Sequence, residues 1–224
     1  VSTWWSYRPA DFLLFSEEVY WRLFELQNAA LWPAQIVALA GGTLILVLAL
    51  RQRPWSGPIA GVLLAAAWVS VTALFLWQRY QPINWAALYA IPPFLAEAAI
   101  LLFAFARRES AFAGSRGLRS ELGAGLFVYA LALHPLLPLA TGRPLGQGEI
   151  FALAPDPTAI ATLGILLLAR RCPLISLALP VPLVWCLASW TTLQTIGTFE
   201  AWIPFAAALI AIIGAFLSER RRKR

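Results

Sequence analysis

Charge is scarce in this chain. Only 12% of its 224 residues are Asp, Glu, Lys or Arg, against 60% hydrophobic, and a soluble globular domain with that balance could not hide its apolar surface. Lipid is the implied solvent. Lysine occurs once, as Lys223 near the end of the sequence, which excludes the intramembrane Schiff base that a rhodopsin-like bundle would need. Histidine also occurs once, as His134; zinc takes three or four ligands, and with no second histidine and no cysteine nearby the rest would have to be carboxylates. Of the two cysteines, Cys172 and Cys186, fourteen intervening residues of helix would span about 20 Å, beyond disulfide reach. No Walker loop, HExxH or GxSxG occurs, so no enzyme activity, cofactor or metal is expected. The net charge of +6 is not gathered on a soluble domain. It reads as a topology signal, and no nucleic-acid partner is expected.

Six apolar stretches are there instead, at 29–50, 59–77, 86–106, 122–141, 174–193 and 201–217, each long enough or nearly so to cross a bilayer. A seventh run, 158–169, has twelve residues, and at 1.5 Å per residue it covers roughly 18 Å of a hydrocarbon core about 30 Å thick. It can cross only if 150–154 is joined to it through Pro155-Asp156-Pro157, which implies a break inside the membrane. With seven crossings and the N-terminus outside, thirteen basic residues fall on the inner side, among them Arg51, Arg53, Arg107, Arg108, Arg116, Arg119, Arg170 and Arg171, and four (Arg8, Arg22, Arg79, Arg143) on the outer. Six crossings would misplace one of these groups. The expected fold is therefore an all-α, polytopic transmembrane bundle of about seven spans in a bacterial plasma membrane, N-terminus outside and C-terminus inside. Trp32, Trp77, Trp85, Trp190 and Trp202 fall near the outer boundary and Trp55 near the inner, where the amphipathic indole is favoured, while Trp68 and Trp185 lie deeper as packing residues.

Three segments follow: 1–28 as an N-terminal interfacial segment, 29–217 as the transmembrane domain, and 218–224 as a basic cytoplasmic tail. Within the first, Ser16 is a helix-start residue, Glu17 and Glu18 occupy the first turn, and Val19, Tyr20, Leu23, Phe24 and Leu26 supply an apolar side. Trp21, Leu23 and Phe24 are expected at the outer lipid interface, with the segment serving as a plain lid packed on the bundle or as a gate for substrate. No basic, short-cored leader is visible, so the first span is expected to act as the insertion signal.

Polar groups deep in lipid are costly, so the few present are candidate site residues. Glu97 lies near the middle of its span, one turn after Pro92-Pro93, which leave the carbonyls of Leu88 and Tyr89 without helical donors. It suits a cation or proton site, or a neutral acid bonded to a neighbouring helix; His134 is its nearest base by depth. His134 itself stands in "LHPLLP", where Pro135 and Pro138 free the carbonyls of Leu131 and His134; it is either a structural histidine or a proton relay. Asp156 precedes Pro157, so it suits an N-cap whose carboxylate accepts from the amides of Thr158 or Ala159, or a half-helix end facing a cavity.

Two motifs carry a resemblance. With Trp5-Ser6-Tyr7, Asp11-Phe12-Leu13 and Phe15 at one end, and Phe151, Ala154-Pro155, Pro157-Thr158, Ile160, Thr162 and Gly164 at the other, the chain resembles a bacterial multipass membrane family of unknown function. The resemblance implies a helical membrane fold over nearly the whole chain and no activity. Physical chemistry then supplies the functional expectation: transport or sensing of a small solute, ion or proton through an outward-facing polar pocket formed by Glu97, His134 and Asp156. The competing expectation is a non-catalytic membrane subunit or assembly factor with a membrane protein partner, in which the same residues only tie kinked helices together.

Overall fold

The structure, a computed structural model, describes residues 15–106, 111–112 and 117–217. Among these residues every regular element is a helix. Helix α1 covers Glu17–Leu31, α2 Ala34–Arg51, and α3 Ser56–Ser70, which continues as a wider π-helix to Tyr80; α4 covers Ala87–Ala106. Helix α5, Leu118–Val128, passes through a π-helical and a 3-10 turn into α6, Leu137–Ala140. Helices α7 (Pro155–Leu168), α8 (Pro173–Leu177), α9 (Pro180–Ile196) and α10 (Trp202–Phe216) complete the bundle.

Six stretches are long and apolar enough to cross a membrane: Ala34–Arg51, Ser56–Tyr80, Ala87–Ala106, Leu118–Ala140, Pro173–Ile196 and Phe199–Phe216. They coincide with the six apolar runs of the sequence. Large apolar side chains such as Val37, Tyr89, Phe103, Val184 and Phe216 are exposed on their outer faces, which fits a lipid surround. Trp32, Trp55, Trp77, Trp85 and Trp202 are exposed and Trp68 is fully buried, whereas Trp190, read as a belt residue, is half-buried with its ring against Phe205 at 5.0 Å.

The short seventh run is the centre of the molecule. All fourteen residues of α7 are buried, and α2, α3, α5, α9 and α10 surround it. A helix with no lipid-facing side needs no apolar belt of full bilayer length, and this one is about 21 Å long. Small residues make the close packing possible: a methyl group on Gly164 would sit 2.6 Å from the Gly123 carbonyl oxygen and 2.8 Å from the Phe127 nitrogen, so α5 and α7 touch backbone to backbone.

The last turn of α7 is closed by arginines. The Arg119 guanidinium donates to the carbonyls of Leu166 and Ala169, both at 2.9 Å, and Arg171 donates to those of Ala215 and Leu217 at the end of α10. Cationic donors thus satisfy the carbonyls that a helix end leaves unpaired. This basic end of the bundle gathers residues that the charge pattern assigns to the inner side. Arg107, Arg108, Arg116, the tail 218–224 and the first motif up to residue 14 lie outside the described residues.

At the opposite end α1 forms a lid. Ser16 caps it by accepting from the Val19 amide at 3.4 Å, as the sequence suggests. Of the two readings of this segment the packed lid fits: Trp21, Leu23 and Phe24 are buried in protein and not set at a lipid interface, and Phe24 stacks on Phe75 at 5.0 Å. The reason is the segment before α7, which leaves carbonyls that α1 satisfies. Gln27 donates to the Leu153 carbonyl at 2.9 Å, and Asn28 to those of Gly146 and Gly148 at 2.8 Å. A lid that seals polar backbone must turn its apolar face toward the bundle.

Candidate functional site

The start of α7 is built by the second motif. Ala154 is extended and Pro155 is the first helical residue, a position where its missing N–H costs nothing. Two residues earlier Ala152 is left-handed, with φ 64°. Its amide is held by the Thr158 hydroxyl at 2.9 Å, and that hydroxyl donates to the Ala154 carbonyl at 2.7 Å. Thr162, one turn on, accepts from the Trp68 indole at 2.9 Å. Each polar residue of the motif thus has a structural employment.

Asp156 is not the cap that the sequence suggests. It stands at the second helical position, and its carboxylate bonds across to α9: Oδ1 accepts from the Trp185 indole N–H at 2.7 Å and Oδ2 from the Ser189 hydroxyl. Trp185 and Ser189 are four residues apart, so both fall on the α9 face that meets α7. Sequence reading treated Trp185 as packing and passed over Ser189; the i, i+4 pairing of a polar-tipped aromatic with a hydroxyl was the available signal.

Trp185 and Ser189 also form part of the wall of a cleft of about 510 Å³ between α4 and α9. Phe75, Phe94, Pro93, Pro155 and Val181 line its apolar part, and Tyr80, Asn84, Thr191 and Thr192 bring polar atoms at the lid end. No Asp, Glu, Lys, Arg or His is among its lining residues. Phe94 meets Trp185 edge-on at 5.0 Å and Trp68 at 4.6 Å, which closes the cleft with aromatic rings.

Glu97, His134 and Asp156 do not line this cleft, nor the smaller groove between α5 and α10, nor the hollow beside the lid. Glu97 is fully buried on α4, and neither carboxyl oxygen has a hydrogen-bond partner among the described residues. It does not pair with His134. His134 Nε2 lies 4.0 Å from Glu149 Oε2, too far for a direct hydrogen bond. Burial pushes the Glu149 carboxyl well above the usual range, and the charges of Asp156 and Glu200 add to this. Arg143 offsets them: it is ion-paired with Glu200, donates to the Thr141 hydroxyl at 2.9 Å, and lies over the Trp21 ring at 3.4 Å. Glu149 and Glu200 escaped sequence reading, and Arg143 counted there only as an outer basic residue, because all three lie in connectors or at the very start of a span, where charge is ordinary. Among the described residues no group of three or more His, Cys, Asp or Glu could hold a metal ion.

Residues 17–224 match the model of a family of unknown function, DUF6064. The chain belongs to this family. The match takes in every described helix and the whole second motif, whereas the first motif, which ends at Phe15, precedes it. No curated protein and no solved structure matches the chain. Membership assigns no activity, so function rests on the geometry.

Proposed function

We propose that this protein is a non-enzymatic membrane protein that holds one uncharged, membrane-dissolved small molecule in the cleft between α4 and α9, as a sensor or carrier. In this reading α7, with the segment before it, is the seventh crossing, the lid end faces outward and the basic end faces the cytoplasm of a bacterial cell. The observation that carries it is the position of the cleft. Tyr89 and Val184, on its lips, are exposed on the lipid-facing sides of two spans, so a molecule can enter from the bilayer without crossing water. The absence of charged side chains among the lining residues favours an uncharged occupant over an ion and moves the expected solute from the water phase to the lipid phase. The polar groups at the lid end suit a polar head held near the membrane boundary, with the apolar remainder deeper.

A photo-crosslinking amino acid at Val184, compared with one at Val37 on the lipid face of α2, tests this in cells. One dominant adduct at Val184 and the bulk lipid mixture at Val37 is the expected result. The bulk mixture at both sites would refute a specific cleft.

A further inference from the structure

We infer that the occupant of the cleft carries a planar ring as its polar head, the chemistry of a prenylated quinone or quinol; this rests on the lateral-cleft reading above. Three observations favour a ring over a phospholipid headgroup or a plain alkyl chain.

The first is charge. A phosphate or ammonium head would find no counter-charge among the lining residues. The nearest ionisable group behind the wall is Asp156, whose carboxylate already takes the hydrogens of Trp185 and Ser189. An anionic head would be repelled there, and a cationic one would have to displace both donors.

The second is the shape of the walls. Six aromatic side chains line the cleft: Tyr20, Phe75, Tyr80, Tyr89, Phe94 and Trp185. Phe75 and Tyr80 are stacked, with centroids 5.8 Å apart and planes at 29°, while Phe94 presents its ring at 79° to Trp185. Flat faces and edges at these angles receive a flat ring by stacking and edge contacts, whereas a flexible acyl chain gains little from them. The volume falls within the range of about 300–1,000 Å³ typical of small-molecule sites, sufficient for one ring and the start of a tail.

The third is the set of free polar atoms. Ser189 gives its hydrogen to Asp156 and keeps lone pairs to accept from a quinol hydroxyl. Pro93 leaves the Tyr89 carbonyl without a helical donor, a second acceptor on the opposite wall. Asn84 uses Oδ1 to accept from the Ala86 amide at 3.1 Å and turns its NH2 group toward the Tyr80 hydroxyl, which leaves one amide hydrogen to donate to an oxygen of the head. Donor and acceptors on facing walls match a head with oxygens at both ends of a ring. The tail would leave past Val181 and Val184 into the bilayer.

The test uses the full chain in phosphatidylcholine nanodiscs. The probe is a radiolabelled benzoquinone with two isoprene units, used as such and reduced to its quinol; the comparators are a saturated alcohol of the same length and phosphatidylglycerol, and empty discs correct for partition. Ala188→Trp and Ala90→Phe each fill the cleft from one wall, so if one variant fails to accumulate the other still reports. Saturable binding of one quinone per chain, weakened about tenfold or more in either variant and about tenfold tighter than the alcohol, is expected. Alcohol or phosphatidylglycerol bound as tightly as the quinone, with the same sensitivity to the variants, would overturn the ring and leave the cleft reading standing. No variant-sensitive binding of any probe, together with the bulk lipid mixture at Val184, would overturn both.

Discussion

The Trp185 indole N–H points at Asp156 Oδ1, 2.7 Å away, and this single bond joins the central helix to the wall of the cleft. With the Ser189 hydroxyl on Oδ2 it makes Asp156 a clamp between α7 and α9. Asp156→Ala strands two buried donors and is expected to cost about 3 kcal/mol. Asp156→Asn retains an acceptor for Trp185 and an NH2 group for the Ser189 oxygen, so about 1 kcal/mol is expected. Denaturant midpoints in detergent measure both; equal losses would show that the interhelix bonds do not matter.

The contact of α5 with α7 gives a sharper steric test. Gly164→Ala would force its methyl against backbone atoms at 2.6 and 2.8 Å, where no side chain can yield, and a loss of roughly 1–3 kcal/mol is expected. Gly41→Ala on α2 meets nothing within 4 Å and should be neutral or stabilising by up to about 1 kcal/mol. Thermal melts of the two variants side by side decide this; similar behaviour would contradict the packing.

Much of this architecture was legible in the sequence because lipid imposes a strong rule: a helix that faces hydrocarbon must be apolar over its whole length, and the six long runs obey it. The break at Pro155 to Pro157 was legible too, since proline marks backbone locally. Partners distant in sequence were not. Asp156 before Pro157 carries the local signature of a cap, and only the fold reveals Trp185 and Ser189, 29 and 33 residues on, as its donors. The inward face of α1 was hidden for the same reason. Its apolar residues fit lipid or protein equally well, and the choice is made by Gln27 and Asn28 reaching carbonyls more than a hundred residues away.

Glu97 supplies a test with an unusual sign. A fully buried carboxyl with no partner among the described residues has no bond there to lose, so replacement by an apolar side chain of similar size should leave stability unchanged or raise it. Glu97→Leu and Glu97→Gln are expected to insert and accumulate as the parent does, with Glu97→Leu melting at the same or a higher temperature. A melting point lower by several degrees in Glu97→Leu would reveal a bonding partner.

Orientation is testable with the cysteines already present. Cys172 is exposed beside Arg171 at the basic end, whereas Cys186 is buried. In intact cells a membrane-impermeant maleimide should leave the parent protein unlabelled and should label Gly146→Cys at the lid end. After permeabilisation Cys172 should react as well. Labelling of Cys172 in intact cells would invert the proposed topology, and failure to label Gly146→Cys would remove the seventh crossing.

The most direct measurement is a cryo-electron microscopy map of the full chain in nanodiscs made from its native lipid extract, at a resolution that shows aromatic rings. The expected result is one discrete density between α4 and α9, its head against Tyr80, Asn84 and Ser189 and its tail passing Val184 into the bilayer, reduced or lost in Ala188→Trp. A cleft closed by direct packing of α4 on α9, or filled only by the same diffuse acyl-chain density as the outer faces, would contradict it.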